Sequence, residues 1–253
     1  MARTAFRRDR IIATVGVYEI SRHWFDQLEP GGLLVAPLWV RGSQCLVAFE
    51  KTGDSLESRS LRWGGFMRMR GALAGPESYV TLKDGWTAAA KRPSAFNVSE
   101  IERLLEQEPE ERPPLAEQVG PSMLGFSLFV ASQDPRVIVL SSVDDTGSLG
   151  DYAVGLLDAD SSSMCLAMSE VNEERNERYI HIRSYGGDEM LAAMTAYLQQ
   201  WSSLGRPSID RLRVTAMLVP GSNGVEEATP APGALIRGAF AMRFSWLETT
   251  EKA

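Results

Sequence analysis

Residues 9–38 read DRIIATVGVYEISRHWFDQLEPGGLLVAPL, and this stretch decides the fold. Arg10–Val15 is a β-branched run of strand type. Trp24, Phe25 and Leu28 follow at spacings that suit one face of a short helix. Pro30-Gly31-Gly32 is a stop signal, because proline cannot continue a helix and glycine tolerates positive φ. Leu33–Pro37 is then a short, wholly apolar strand. Two apolar strands joined through a helix predict a parallel sheet covered on both faces. The spacing therefore predicts Arg10–Val15 and Leu33–Pro37 as adjacent parallel strands, with a helix over Arg22–Gln27 between them. Such a sheet normally opens on a strand that carries a cofactor loop, and none precedes this unit.

Three segments in order resemble the second half of a protein-L-isoaspartate O-methyltransferase catalytic domain. Asp9–Gly16 is similar to that family's fourth strand and the loop after it. Trp24–Pro37 is similar to its helix, glycine turn and fifth strand. Gly65-Phe66-Met67-Arg68-Met69-Arg70-Gly71 is similar to its Gly-Phe-x-Pro-Met-x-Gly segment. The resemblance spans residues 9–80, and the long carboxy-terminal region is similar to an extension found in some bacterial members. Two departures bear on the substrate loops. Ser21-Arg22-His23 stand where members often carry proline, and Met67-Arg68 replace the usual Val-Pro.

The resemblance implies an α/β fold: an incomplete methyltransferase-type (Rossmann-like) sheet, followed by an α+β carboxy-terminal domain. The expected division is 1–92 for the methyltransferase-like part, 93–121 for a helix and linker, and 122–253 for the second domain. The implied function is that of an S-adenosyl-L-methionine-dependent O-methyltransferase relative acting on a protein or peptide carboxylate. Thr14, Val15 and Gly16 occupy the substrate-binding position by resemblance. Thr14 is placed to donate a hydrogen bond to a carboxylate, or to bond the backbone at a strand end. Gly16 permits close backbone approach, or simply a turn. Asp9 matches an acidic position that serves equally as a surface cap. Arg68 and Arg70 suit either an acidic peptide or a solvated edge.

No catalytic residue is assigned. The acceptor carboxylate is already ionised near neutral pH, its unperturbed pKa being roughly 4, so alignment matters more than a base. The family's donor sits on a glycine-rich loop, and no Gly-x-Gly-x-Gly follows a strand here; Gly186-Gly187 lacks the third glycine. No cofactor-binding residue or metal ligand is therefore named. The expectation is a chain that begins midway through the catalytic domain, does not bind S-adenosyl-L-methionine tightly alone, is inactive alone, and self-associates or takes a partner along the exposed strand edge. The alternative is a noncatalytic binding or interaction protein that keeps the carboxy-terminal domain.

Composition bounds these readings. The net charge of −7 argues against broad nucleic-acid binding. There is no apolar run of membrane-span length and no signal-peptide core after the basic start, so a cytoplasmic setting is expected. Cys45 and Cys165, in apolar runs, read as buried free thiols. His23 and His181 belong to no triad or metal spacing, the acidic run Glu170–Arg178 reads as a solvated turn, and Asp158-Ala159-Asp160 lacks the further ligands of a calcium loop.

Farther along, Cys45–Glu50 and Ser58–Trp63 flank Thr52-Gly53-Asp54 as a hairpin, and Tyr79–Leu82 and Trp86–Ala89 flank Lys83-Asp84-Gly85 as another. Ser99 is placed to cap a helix over Glu100–Gln107. Glu108–Pro114 reads as the domain boundary. Strands are predicted over Gly125–Ala131, Arg136–Ser141, Ala153–Asp158, Ser163–Ser169, Tyr179–Ser184, Leu212–Val219 and Leu235–Trp246, with a loop over Pro220–Gly233. Asp188–Leu204 is the clearest helix. Met190, Leu191, Met194, Tyr197, Leu198 and Trp201 recur on one face of it. Residues from about 122 onward are expected to form their own mixed sheet with that helix packed across it.

Overall fold

The computed structural model describes residues 7–71, 74–76, 78–90, 97–115, 123–143, 149–172, 177–219 and 233–247. In chain order the elements are β1 (Arg8–Ile12), α1 (Arg22–Gln27), β2 (Leu28–Val40), β3 (Ser43–Thr52) and β4 (Ser55–Trp63). Next come β5 (Ser78–Thr81), β6 (Trp86–Ala90), α2 (Val98–Leu105), β7 (Glu110–Leu115) and α3 (Met123–Gln133). Then follow β8 (Val137–Val143), β9 (Leu149–Leu157), β10 (Met164–Asn172), β11 (Glu177–Tyr185) and α4 (Glu189–Ser203). The chain closes with β12 (Leu212–Leu218), β13 (Ala234–Arg237) and β14 (Phe240–Trp246). The fold is mixed α/β, with two compact units: 1–40, 44–75 and 207–253 form one, and 41–43 and 76–206 the other.

The first unit holds a seven-stranded sheet in the order β1-β2-β3-β4-β12-β14-β13. β1 and β2 pair in parallel with α1 between them in sequence, as residues 9–38 predict. β2 is buried at every residue from Ala36 to Val40, so both of its faces are covered there. The remaining strands alternate. Cys45, Val47 and Phe49 of β3, Val214 and Ala216 of β12, and Phe240, Met242 and Phe244 of β14 supply the inward face. Pro30-Gly31-Gly32 differs from its expected role. The helix has already ended at Gln27, with the Leu28 N–H turned back to Phe25 and Trp24 carbonyls. The glycines lie inside β2 as a bulge, since the pairing steps from Arg8↔Leu28 to Arg10↔Leu33. Gly31 takes φ 75° there, and a Cβ on Gly32 would press within 2.8 Å of the Glu29 carbonyl.

The second unit holds a seven-stranded sheet in the order β5-β6-β8-β9-β10-β11-β7, with antiparallel pairing throughout. Ile101 and Leu104 of α2 cluster with Ile138, Leu140, Ala153 and Leu166 on one face. The alternate residues Val137, Val139, Val154 and Cys165 are buried as well, and α3 and α4 pack on β8 and on β9–β11 respectively. α4 buries Met190, Leu191, Met194, Leu198 and Trp201, the apolar face that its sequence predicts, with Tyr197 half-buried beside them.

Several expectations need correction. Gly125–Ala131 is helical rather than extended. A short run that is apolar all round carries no periodicity, and here it is a helix buried from Gly125 through Ser132. Glu108–Pro114 is no boundary: β7 pairs with β11 through Glu110↔Ser184 and Leu115↔Ile180. Leu235–Trp246 is a hairpin, broken at Gly238, which sits at φ 58°. α2 is capped by Asn97, whose side chain accepts the Ser99 N–H at 3.1 Å, rather than by Ser99 itself. The largest correction concerns the carboxy-terminal strands. β12 pairs with β4 through Leu56↔Ala216, and the Ser58 hydroxyl accepts the Val214 N–H at 2.9 Å. They therefore complete the amino-terminal sheet, and the compact units follow that pairing rather than cuts at 92 and 121. Most of the expected loop over 220–233 lies outside the described residues.

Candidate functional site

The site residues named from sequence fall at an irregularity in the one parallel ladder among the described residues. Ile12 pairs with Val35, and the next parallel bridge joins Val17 to Leu38. The β1 side thus advances five residues while the β2 side advances three. The surplus is taken up at Thr14, Val15 and Gly16, which leave the ladder and re-enter it. Ala13 donates to the Val35 carbonyl at 2.8 Å before the excursion, and Val17 donates to Pro37 at 2.7 Å after it.

The excursion is pinned from the far side. The Gly16 N–H donates to the Met67 carbonyl at 2.8 Å, and the Met69 N–H donates to the Gly16 carbonyl at 2.9 Å. Gly16 is buried because a side chain has no space: a Cβ would run into the Gln44 amide and the Trp39 indole. Gln44 in turn fixes the same segment. Its Oε1 accepts the Phe66 N–H at 2.5 Å and its Nε2 donates to the Phe66 carbonyl at 3.4 Å. Thr14 is exposed and Val15 half-buried, so a hydroxyl and a short stretch of backbone face outward from a rigid support.

Arg237, buried to 2% exposure, supports that backbone from within the unit. Its guanidinium donates to the Tyr18 carbonyl at 3.0 Å and to the Trp39 carbonyl at 2.5 Å. It also lies over the Tyr18 ring, 3.9 Å from the centroid. One cation thereby ties the segment after the excursion to the end of β2, with charge-assisted bonds that are stronger than neutral ones. Burial raises the Glu19 carboxyl above its ordinary value, and the Arg237 charge offsets part of that rise.

Of the run Glu170–Arg178, read from sequence as a solvated turn, residues 173–176 lie outside the described residues and the flanks belong to β10 and β11. Arg68 is half-buried, donates to the Gly75 carbonyl at 3.5 Å and sits 5.8 Å from the Trp39 ring centre; Arg70 and Asp9 are exposed. His23 is exposed on α1, and His181 is half-buried in β11 opposite Met168. Cys45 and Cys165 are free and buried, and burial pushes both thiols up to about 12, which keeps them protonated and inert. The structure brings Thr14, Val15 and Gly16 together with Trp39, Gln44, Phe66 and Arg237. Those four are absent from the sequence-derived list. Arg237 carried a signal in its own strand: it is a charge at an inward position of an alternating run, next in phase to buried Leu235.

Comparison with known proteins bears on this part of the chain. The family model described as Protein-L-isoaspartate(D-aspartate) O-methyltransferase matches residues 5–67. A protein-L-isoaspartate O-methyltransferase from Parvibaculum lavamentivorans is 41% identical over 56 residues, covering 21% of this chain and 25% of the relative. Its counterpart from Bradyrhizobium sp. is 41% identical over 54 residues, with the same coverage of each chain. A solved structure titled protein-L-isoaspartate O-methyltransferase overlaps 83% of this chain and 51% of its own at 20% identity, with a TM-score of 0.31, a likeness that carries no argument. The chain spans about a quarter of the length of the curated relatives it matches. The matched segment contains β1, α1, β2, β3, β4 and the Thr14–Gly16 excursion with its Gln44 and Phe66 support, and by sequence it is related to the protein-L-isoaspartate O-methyltransferase family.

Proposed function

We propose that the first unit is the acceptor side of a protein-L-isoaspartate-type O-methyltransferase site, and that this chain alone is not an active methyltransferase. In such a reaction a carboxylate oxygen attacks the methyl group of S-adenosyl-L-methionine and the sulfonium sulfur leaves. An ionised carboxylate needs no base, so the acceptor side has only to hold and orient it. The observation that carries this reading is the excursion at Thr14–Gly16, which lies within the segment that matches the family and is locked by reciprocal hydrogen bonds to Met67 and to Met69 just beyond it. Its exposed hydroxyl and backbone are donors of the kind that position a carboxylate.

The described residues do not fit the donor. Gly186-Gly187 follows β11 as an exposed turn, with Gly186 at φ 79° and close against the Ser162 carbonyl, and it lacks the third glycine of a nucleotide loop. β1 lies at the end of its sheet, with Arg8, Asp9 and Arg10 exposed and Ile12 at 68% exposure. Charges of this kind blunt indiscriminate pairing, which favours a specific partner strand along this edge over open-ended self-association.

Calorimetry of the purified chain with S-adenosyl-L-methionine tests the reading. The expected result is no saturable heat at micromolar donor. Micromolar binding by a monomer would contradict it and require a donor site elsewhere in the chain.

A further inference from the structure

The second unit contains a cavity of about 230 Å³ that the methyl-transfer reading does not use. It exists because α2 is short. Eight residues make a helix roughly 12 Å long, whereas seven strands span roughly 30 Å. α2 buries Ile101 and Leu104 against the sheet and leaves Leu105 at the cavity wall. Trp86, Leu140, Leu166, Met168 and Tyr185 form an apolar lining.

Four charged side chains complete the rim, and their pairing is unequal. Lys83 meets Glu106 at 2.8 Å, and Arg183 meets Glu111 at 3.0 Å. Each cation already faces a carboxylate. Glu102 accepts only the Lys83 backbone N–H, at 3.0 Å, and among the described residues it has no cationic partner. With Glu111, which pairs Arg183 from just outside the lining, three carboxylates face two cations, and this surplus negative charge and the aromatic lining both favour a cation. An anionic guest would instead have to displace a carboxylate from Lys83 or Arg183. The cavity is smaller than the roughly 300–1,000 Å³ of drug-sized sites, which limits the guest to a single ring or a short alkyl chain.

The geometry points to a binding site for a small primary amine with an apolar body, its ammonium on Glu102 and its body against Trp86, Leu166 and Met168. The cavity lies wholly in the second unit, so this inference and the methyl-transfer reading can each fail alone. The test is calorimetry of the full chain with 2-phenylethylammonium chloride, with 3-phenylpropionate and 2-phenylethanol as the anionic and neutral counterparts. The expected result is one amine per chain, with the two counterparts weaker. Glu102→Gln, isosteric at a half-exposed position, weakens the amine about tenfold, the scale of a lost charged hydrogen bond. Glu100→Gln, which touches only the Arg103 ion pair, leaves binding unchanged. Equal binding of the carboxylate, an unaffected Glu102→Gln variant, or no binding of any of the three compounds overturns the proposal.

Discussion

Among the described residues each unit buries one arginine almost completely, and the two arginines do different work. Arg41, fully buried in the second unit, donates to the Ala131 carbonyl at 2.9 Å, in the last turn of α3. It places a cation at a helix carboxyl end, where the dipole favours positive charge. Arg237 in the first unit bonds strand-side backbone instead. It holds two carbonyls, Tyr18 and Trp39, that belong to neighbouring parallel segments. Arg41 finishes an element, while Arg237 fixes the relative position of two stretches that bound an exposed excursion. A buried charge that organises backbone around an outward-facing loop is the arrangement expected of a site; one that closes a helix is expected of a core.

The largest effect expected from this contrast is at Arg237. Arg237→Ala strands the buried Trp39 carbonyl and the part-buried Tyr18 carbonyl and removes a cation stacked on Tyr18, and is expected to cost about 3 kcal/mol in urea unfolding. Arg237→Lys should recover part of it, because an ammonium lacks the planar fork that reaches two acceptors. A loss under about 1 kcal/mol for the alanine variant would remove the organising role.

A smaller effect is expected in the second unit at Asp134, whose side chain is 3% exposed. It accepts from the Arg136 backbone at 2.8 Å, from the Arg136 guanidinium at 2.8 Å and from the Tyr197 hydroxyl at 3.1 Å. Burial pushes this carboxyl up, but the hydrogen bonds from Arg136 outweigh it and hold the carboxyl below its ordinary value. Burial, then the Asp134 charge, push Tyr197 up to about 12. Because the folded carboxyl is depressed, its contribution is fully present above the unfolded pKa of about 3.9 and is lost as pH falls through the folded value. Asp134→Asn is expected to cost about 2 kcal/mol at pH 7 and progressively less below about pH 4. A cost that stays constant down to pH 3 contradicts the ionic account.

The smallest effect is expected at Lys51. Its ammonium donates to the Phe25 and Leu28 carbonyls at 2.6 and 2.9 Å and lies 4.1 Å from the Phe25 ring centre, closing α1. Lys51→Met should cost about 0.5–1 kcal/mol, seen as faster amide exchange confined to α1. Unchanged exchange there would show that the six-residue helix is held by Phe25 packing on Phe240 instead.

What could be read from sequence was local. Residues 9–38 disclose a parallel pair because strand, helix and strand follow one another within thirty residues, each with its own period, although Pro30-Gly31-Gly32 proved a bulge in β2 rather than the helix stop. The hairpin of β3 and β4 was legible for the same reason, through Gly53. The union of β4 with β12 was not: Leu56 and Ala216 are far apart in sequence, and an alternating strand does not announce its neighbour. The α3 run misled because a segment apolar on every side has no phase. Thr14–Gly16 could be named from sequence, but their shape could not, since it depends on a two-residue mismatch between β1 and β2 and on Gln44, Phe66 and Arg237 from three other segments.

The most direct test of the central claim is a titration of ¹⁵N-labelled chain with an isoaspartyl peptide, followed by amide shifts. The account predicts saturable changes at Thr14, Val15 and Gly16 and at their partners Met67 and Met69, lost when the peptide carboxylate is amidated. Shifts confined to other parts of the chain, or the same shifts with the amidated peptide, would contradict an acceptor site at this excursion.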